Sequence, residues 1–225
     1  SLGNDLIDFS ASERGDFYDL DYSELAGPIT VTLDRKSAFS EVEKGADGAS
    51  GTDTLIDVFN AASFDSGDGI WLVGTGGDDV FNLTMGTGTW VGVDAHDGND
   101  VYNIIAADEP DGYDIGTIRL SYGSSSSGIS ANLVTGVISD GNGSTDQLNL
   151  TGGSQTRIEL EGSFYNDTIT GSDRDERFIL NGGDDTLDAG GGYDVLRYDR
   201  SGIDGGVTVD LAAGTASGTW YGAAF

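Results

Sequence analysis

Several residue types are scarce in this chain of 225 residues, and each scarcity excludes a class of structure or partner. Cysteine is absent, so neither disulfides nor thiolate metal sites can form. No stretch approaches the roughly 20 consecutive apolar residues of a membrane helix, so membrane insertion is not expected. Only 10 basic residues oppose 39 acidic ones. Because phosphate contacts require clusters of lysine and arginine, no nucleic-acid partner is expected.

Glycine and acidic residues dominate what is present. The chain has 37 glycines, a formal net charge of −29 and 37% apolar residues. The apolar residues alternate with polar ones in short runs, which is typical of short β-strands. The acids stand in register with glycines and apolar residues, whereas a disordered acidic tail would carry them in a block. The composition therefore predicts an ordered all-β protein whose negative charge is offset by bound cations.

A nine-residue repeat organises residues 163–198. Acidic residues recur at a step of nine, and a large apolar residue follows two positions after each. The acids are Asp167, Glu176, Asp185 and Asp194, and the apolar residues are Ile169, Phe178, Leu187 and Leu196. Each unit predicts a very short strand and a tight turn, with glycines where the turn needs positive φ. Stacked units would form a column of carboxylate and carbonyl oxygens, which are the ligands that Ca²⁺ takes.

This stretch resembles the RTX, or haemolysin-type, calcium-binding repeat, whose nonapeptide is G-G-x-G-x-D-x-U-x. The best match is Ala189 to Arg197, with alanine in the first glycine position. The two preceding units depart further, since one lacks the first two glycines and the other has Glu176 in place of aspartate. The resemblance implies a right-handed parallel β-helix with β-roll character. It also implies type I secretion from a bacterium and folding on Ca²⁺ outside the cell or at its surface.

The resemblance and the glycine-acid register together select candidate calcium ligands. Aspartates would bind through carboxylates and glycines through backbone carbonyls. The candidates are Asp185, Asp194, Gly183, Gly190, Gly192, Asp184 and Asp167, with Asp79, Asp97, Asp100 and Asp114 as equivalents earlier in the chain. The alternative for any single aspartate is that it only caps a turn.

A longer repeat is visible above the nonapeptide. Asp5, Asp79 and Asp167 begin similar segments, at spacings of 74 and 88 residues. Each is followed later by a strand-like alternation after a glycine, at 27–33, 128–133 and 206–211. Two further strands are expected as pairs, 52–56 with 69–73 and 145–150 with 156–160. Residues 35–49 are expected to form a loop or one short helix.

The expected architecture is one β-solenoid domain over residues 1–225, built of long repeats at 1–73, 74–161 and 162–225, the last incomplete. At roughly 18 to 25 residues per turn, about ten turns are expected. Capping elements are not evident at either end. The chain is therefore interpreted either as a segment of a longer secreted protein or as a subunit that associates end to end.

Three functions are compatible with these patterns. The first is a structural, adhesive or extracellular-matrix module that depends on calcium. The second is a carbohydrate-binding accessory module of a polysaccharide-modifying enzyme, with an alginate-like ligand and Trp90 as the stacking residue. The third is an extracellular filament subunit. No catalytic function is expected: the segment around His96 faintly resembles that of mannuronan C5-epimerases, but Val91 stands where those enzymes have a catalytic tyrosine.

Overall fold

The computed structural model describes residues 3–10, 17–45, 51–59, 69–86, 88–106, 116–200, 202–203, 205–210 and 212–224. This part of the chain contains strands and turns but no helix, so none of its elements is a helix that could span a membrane. The prediction of an all-β protein is confirmed for these residues.

The strands are short, most of them between three and six residues, as the alternating sequence pattern predicts. They are β1 Leu6–Asp8, β2 Phe17–Asp21, β3 Ile29–Asp34, β4 Phe39–Lys44, β5 Gly51–Ile56, β6 Gly69–Val73, β7 Val80–Thr84, β8 Trp90–Asp94, β9 Val101–Ala106, β10 Gly116–Ser121, β11 Ser130–Asn132, β12 Val137–Ser139, β13 Thr145–Gly152, β14 Thr156–Glu161, β15 Thr168–Thr170, β16 Arg177–Ile179, β17 Thr186–Asp188, β18 Val195–Leu196, β19 Thr208–Asp210, β20 Thr215–Ser217, β21 Thr219–Trp220 and β22 Ala223–Ala224.

Two long, largely parallel sheets hold most of the strands. Sheet A has 11 strands in the order β1-β5-β4-β3-β7-β9-β13-β12-β11-β15-β17, and sheet B has seven in the order β18-β16-β14-β10-β8-β6-β2. From β6 to β10 and again from β14 to β18, successive strands alternate between the two sheets. Neighbours within a sheet are therefore one circuit of the chain apart, which is compatible with a β-helix or β-roll.

One hydrophobic core collects the inward side chains of both sheets. Along strands such as β7 and β9 burial alternates, because successive residues point to opposite faces. Phe81 and Tyr102 are fully buried and lie opposite each other on β7 and β9, with ring centroids 5.6 Å apart. Ile118 and Leu120 of β10 fill the same core from sheet B. Full burial of one such side chain contributes about 1.5–3 kcal/mol.

Two three-stranded antiparallel meanders, β3-β4-β5 and β11-β12-β13, are inserted into sheet A. Both have the same connectivity. The last strand of each pairs in parallel with the preceding strand of the circuit, β5 with β1 and β13 with β9. The first strand of each pairs in parallel with the following one, β3 with β7 and β11 with β15. The division into three long repeats stays a prediction, but this recurring unit agrees with its spacing.

The structure corrects three expectations about these regions. Residues 39–44 form strand β4, whereas a loop or short helix was expected; Ser40, Val42 and Lys44 face inward, and the charged residues between them hid the alternation. The segments expected to pair, β5 with β6 and β13 with β14, lie in different sheets because the chain crosses over between them. Sheet B has seven strands, fewer than the roughly ten turns expected, because each meander places three strands in one circuit.

Candidate functional site

The acids spaced by nine residues lie on opposite edges of the fold. Asp167 and Asp185 directly precede β15 and β17 of sheet A, while Glu176 and Asp194 directly precede β16 and β18 of sheet B. The stacking interval is therefore 18 residues, as the hydrogen bond between Asp167 and Asp185 shows. The single column that the sequence suggested is in fact two columns.

Each column is a ladder of carboxylates that accept backbone N–H groups from the neighbouring turn. Oδ1 of Asp185 accepts from the N–H of Asp167 at 2.9 Å, and Oδ1 of Asp194 accepts from that of Glu176 at 3.0 Å. In the earlier part of sheet A, Oδ1 of Asp100 accepts from the N–H of Asp79 at 2.8 Å. These hydrogen bonds hold adjacent turns in register, and they give the acidic side chains a role in the fold itself.

Burial places several of these carboxylates in an unfavourable position for a negative charge. Burial and the charges of Asp146 and Asp79 raise the pKa of Asp100 to about 9, although the N–H bond from Asp79 opposes the shift. Burial, with smaller effects from Asp167 and Asp184, raises the pKa of Asp185 to about 7. Oδ2 of Asp100 is buried and has no hydrogen-bond partner among the described residues. At neutral pH Asp100 therefore holds a proton and Asp185 is about half protonated, unless a cation offsets their charge.

The donor chemistry fits a hard cation better at some candidates than at others. Both oxygens of Asp79 accept hydrogen bonds, from Thr75 and the N–H of Ile29, and both oxygens of Asp167 are likewise engaged. Oδ2 of Asp185 and of Asp194 accepts no hydrogen bond from the described part of the chain. Within that part, no three acidic or histidine side chains converge on a common point. Calcium at Asp185 or Asp194 would therefore depend on backbone carbonyls for most of its ligands.

The three candidate glycines lie where turns stack closely. Gly183, Gly190 and Gly192 have φ values of 115°, 81° and 105°. A Cβ on any of them would overlap a carbonyl oxygen of the preceding turn, that of Tyr165, Ser172 or Arg174 respectively. Glycine is thus required by both backbone conformation and contact, and the turns bring carbonyl oxygens close together.

The remaining candidate calcium ligands are exposed to solvent or lie outside the residues that the structure describes. Asp97 and Asp184 are exposed, and the N–H of Asp184 donates to Oδ1 of Asn166 at 2.9 Å. Asp114 lies outside the described residues.

Sequence reasoning missed Asp146, whose Oδ1 accepts the N–H of Asp100 at 3.0 Å and whose Oδ2 accepts the hydroxyl of Tyr122 at 2.7 Å. The parallel between Thr145-Asp146 and Thr52-Asp53 was the available signal.

No family model matches this chain, and searches of curated proteins and of solved structures return no match. The functional assignment therefore depends on the geometry of the chain itself.

The outward face of sheet B carries a second group of candidate residues. Trp71 and Trp90 stack with ring centroids 5.8 Å apart and planes inclined by 18°. The Arg119 guanidinium lies over the Trp90 ring, 5.3 Å from its centroid, and the Phe17 ring also contacts Trp90. The prediction singled out Trp90 but not this cluster, because the strand register that aligns the rings is not evident in the sequence.

Arginines continue this face beyond the tryptophans. Glu159, with 1% of its side chain exposed, accepts from Arg119 at 2.5 Å and from Arg197 at 2.7 Å. Burial opposes ionisation of Glu159, but the charge of Arg119 and the bonds from both arginines lower its pKa overall. Arg157 and Arg177 form no ion pair with described residues, and burial together with the charge of Arg157 lowers the pKa of Arg177. The face therefore bears positive charge in an otherwise strongly acidic chain.

Proposed function

We propose that this protein is a calcium-dependent β-solenoid module with a structural or adhesive role outside a bacterial cell. In this proposal the chain coils in a right-handed sense through the two sheets. Calcium binds between stacked turns at Asp185 and Asp194, with carbonyl oxygens of Gly183, Gly190 and Gly192 as further ligands. Secretion in an unfolded state and folding on calcium follow from the resemblance to RTX repeats.

The observation that carries this proposal is the raised pKa of Asp185, a half-buried carboxylate stacked on Asp167 and beside Asp184. Its Oδ1 is used by the backbone, while its Oδ2 has no partner among the described residues. A divalent cation at Oδ2 would offset the repulsion within the column. Because calcium would bind the folded chain and not the unfolded one, it would stabilise the fold by mass action.

Substitutions at Asp185 separate the two roles of its carboxylate. Asp185→Asn keeps an oxygen for the N–H of Asp167 but removes the charge, so we expect a stability in chelator that equals or exceeds that of the unsubstituted protein. The rise in melting temperature on adding calcium should be reduced. Asp185→Ala removes both functions, so stability should fall in chelator as well. The same pair at Asp194 should behave alike. Thermal melts followed by circular dichroism, with calorimetric counting of bound calcium, give the comparison.

A matched control is Asp210→Asn, which changes the same charge at an exposed aspartate that caps the turn between β19 and β20. It should leave the calcium response unchanged. Equal calcium responses of the unsubstituted protein and of both asparagine variants at Asp185 and Asp194 would rule out these ligands. If the circular dichroism spectrum and the melting temperature are the same with calcium and with chelator, the proposal is ruled out.

The outward face of sheet B favours a second candidate function, the binding of an acidic polysaccharide. Stacked indoles offer a surface for sugar rings, and arginines recognise carboxylates in a bidentate manner. Trp71 stacks on Trp90, which lies beneath Arg119, and Arg157 and Arg177 form no ion pair within the described part of the chain. An alginate-like chain of uronic acids matches both features.

Titration with uronate oligosaccharides, and with neutral oligosaccharides of equal length, tests this candidate. We expect saturable binding of the uronates only, weakened about tenfold by Trp90→Ala or by Arg177→Gln, which corresponds to about 1.4 kcal/mol. Lys36→Gln makes the same charge change at an exposed site on the turn after β3 and should have no effect. Equal weakening by Lys36→Gln would mean that only overall charge matters, and absent binding would exclude the candidate.

A further inference from the structure

The two meanders of sheet A are anchored to the preceding circuit by the same three residues. In each, an aspartate near the start of the last strand accepts a backbone N–H through Oδ1 and a tyrosine hydroxyl through Oδ2. The N–H donor, the aspartate and the tyrosine are Asp5, Asp53 and Tyr22 in the first meander, β3-β4-β5, and Asp100, Asp146 and Tyr122 in the second, β11-β12-β13. Each donor ends a Gly-Asn-Asp sequence, and each acceptor lies in a Thr-Asp-x-Leu sequence. The two anchors are therefore equivalent.

The middle strands of the two meanders differ at one inward position beside these anchors. Val42 of β4 and Ile138 of β12 each pair with the acceptor aspartate of their own meander, so they occupy equivalent places. Two residues further along, the first meander has Lys44 and the second has Asp140. Both side chains are buried. A buried lysine in the first meander therefore corresponds to a buried aspartate in the second.

Lys44 supplies the cation of the first anchor. Its Nζ lies 2.6 Å from Oδ1 of Asp53 and 3.8 Å from Oδ2 of Asp5. It also donates a hydrogen bond to the carbonyl oxygen of Gly3. Only 1% of the lysine side chain is exposed. One buried ammonium thus offsets the charge of two carboxylates and binds one carbonyl oxygen.

The same three oxygens recur in the second anchor, as Oδ1 of Asp146, Oδ2 of Asp100 and the carbonyl oxygen of Gly98. None of the ion pairs within the described part of the chain includes Asp100, Asp140 or Asp146. Asp100 is 1% exposed, and its Oδ2 accepts no hydrogen bond from the described residues. Because burying an uncompensated charge is costly, this arrangement favours a cation where the first anchor has its ammonium.

Asp140 makes the second anchor more negative. Its Oδ1 caps its own turn by accepting the N–H groups of Asn142, Gly143 and Ser144. Its Oδ2 is buried and has no hydrogen-bond partner among the described residues. Burial, with a smaller contribution from the charge of Asp140, raises the pKa of Asp146 to about 6. The replacement of lysine by aspartate thus exchanges a positive charge for a negative one at this position.

We propose that a calcium ion takes the place of the Lys44 ammonium in the second meander, bound by Oδ2 of Asp100, Oδ1 of Asp146 and the carbonyl oxygen of Gly98. Carboxylate and carbonyl oxygens are the ligands that calcium prefers, and water can complete its coordination. Oδ1 of Asp146 accepts an N–H as well, just as Oδ1 of Asp53 accepts both an N–H and the ammonium. The first meander carries its cation covalently and needs none from solution.

This site goes beyond the proposed function, because it does not involve Asp185 or Asp194. The test therefore starts from a parent variant that carries Asp185→Asn and Asp194→Asn. Asp140→Lys, which introduces the residue of the first meander, should lower the calcium stoichiometry of this parent by one ion in calorimetric titration with calcium chloride. Asp100→Asn keeps an oxygen for the N–H of Asp79 but removes the charge, and it should abolish the same binding event.

The matched control is Asp210→Lys in the same parent. Asp210 is exposed and caps its turn as Asp140 does, so this variant makes the same charge change and loses an equivalent cap. It should leave the stoichiometry unchanged. Asp100→Asn adds no bulk to the core and decides the question if Asp140→Lys does not give the circular dichroism spectrum of the parent.

The proposal is overturned if the folded variants at positions 100 and 140 bind as many calcium ions as the parent, or if Asp210→Lys loses an ion as well. It is also overturned if the parent binds no calcium. Loss of ions on Asp185→Asn and Asp194→Asn, with no effect of the changes at 100 and 140, would contradict this site alone. The opposite pattern would support this site and contradict only the ligands assigned under the proposed function.

Discussion

Gly98 shows how single residues permit the turns of this fold to stack. Its φ is 126°, and a Cβ at this position would overlap the carbonyl oxygen of Gly77 in the neighbouring turn. Gly76, in that neighbouring turn, has no positive φ, and a Cβ there would meet no atom within 4 Å. The two glycines therefore form a matched pair, one constrained and one free.

We predict that Gly98→Ala lowers the free energy of unfolding by about 1–3 kcal/mol, because it combines backbone strain with a clash. Gly76→Ala should change that free energy by less than about 0.5 kcal/mol. Urea denaturation at fixed calcium concentration measures both. Equal effects of the two substitutions would mean that glycine at position 98 is not a requirement of turn stacking.

The nine-residue pattern identified the acids that precede strands, because it marks the place where each strand begins. It did not separate Asp185, with one unengaged oxygen, from Asp167, whose oxygens are both used by Ser163 and Ile129. That distinction depends on which residue the neighbouring turn places opposite each carboxylate. The sequence pattern gives the spacing of the acids along the chain, but it does not show which residues of the neighbouring turn contact each carboxylate.

At the scale of the strands, an asparagine ladder links three neighbours of sheet A. Asn103 of β9 donates through Nδ2 to Oδ1 of Asn82 on β7 at 2.9 Å. Asn149 of β13 donates in the same way to Oδ1 of Asn103 at 2.9 Å. The middle residue takes part in both bonds, and the outer two take part in one each.

Asn103→Ala should therefore destabilise the fold more than Asn82→Ala or Asn149→Ala. With about 0.5–1.5 kcal/mol per hydrogen bond, we expect about 1–3 kcal/mol for Asn103 and about half of that for either neighbour. Chemical denaturation of the three variants at one pH makes the comparison. Three equal losses would indicate that the side chains contribute through strand propensity and not through the ladder.

Most individual strands were predictable from alternation, whereas their partners were not. Residues 69–73 and 145–150 were expected to be strands; the first range is the whole of β6 and the second is most of β13. The assignment of β5 and β6 to different sheets depends on the chain crossing over between them, which leaves no periodic signal. Strand β4 was missed because Glu41 and Glu43 alternate with Ser40 and Val42, so that only one large apolar side chain marks its inward face.

For the molecule as a whole, the buried acids imply an unusual dependence of stability on pH. Burial raises the pKa of Asp146 to about 6, and the pKa values of Asp185 and Asp100 lie at about 7 and about 9. Ordinary aspartates in an unfolded chain titrate near about 3.9. The folded state therefore binds more protons than the unfolded state between about pH 4 and pH 9, and its stability decreases as pH rises through this window.

We predict that in chelator the free energy of unfolding increases by about 2 kcal/mol or more between pH 8 and pH 5. The pKa of Glu159 is lowered, so its contribution is lost only at pH values below this interval. Calcium should reduce the dependence, because a bound cation favours the ionised carboxylates. Urea denaturation across the interval tests both parts. A stability in chelator that falls steadily from pH 8 to pH 5 would contradict the burial of protonated acids.

The interval of 18 residues between stacked acids constrains how the length of this chain can change. Removing 18 residues from the segment 163–198 deletes one complete circuit, and every later strand keeps its sheet. Removing nine residues deletes half a circuit. Later strands that now belong to sheet A would then fall in sheet B, and those of sheet B would fall in sheet A. Duplications and deletions in this region are therefore tolerated in pairs of nonapeptides and not singly.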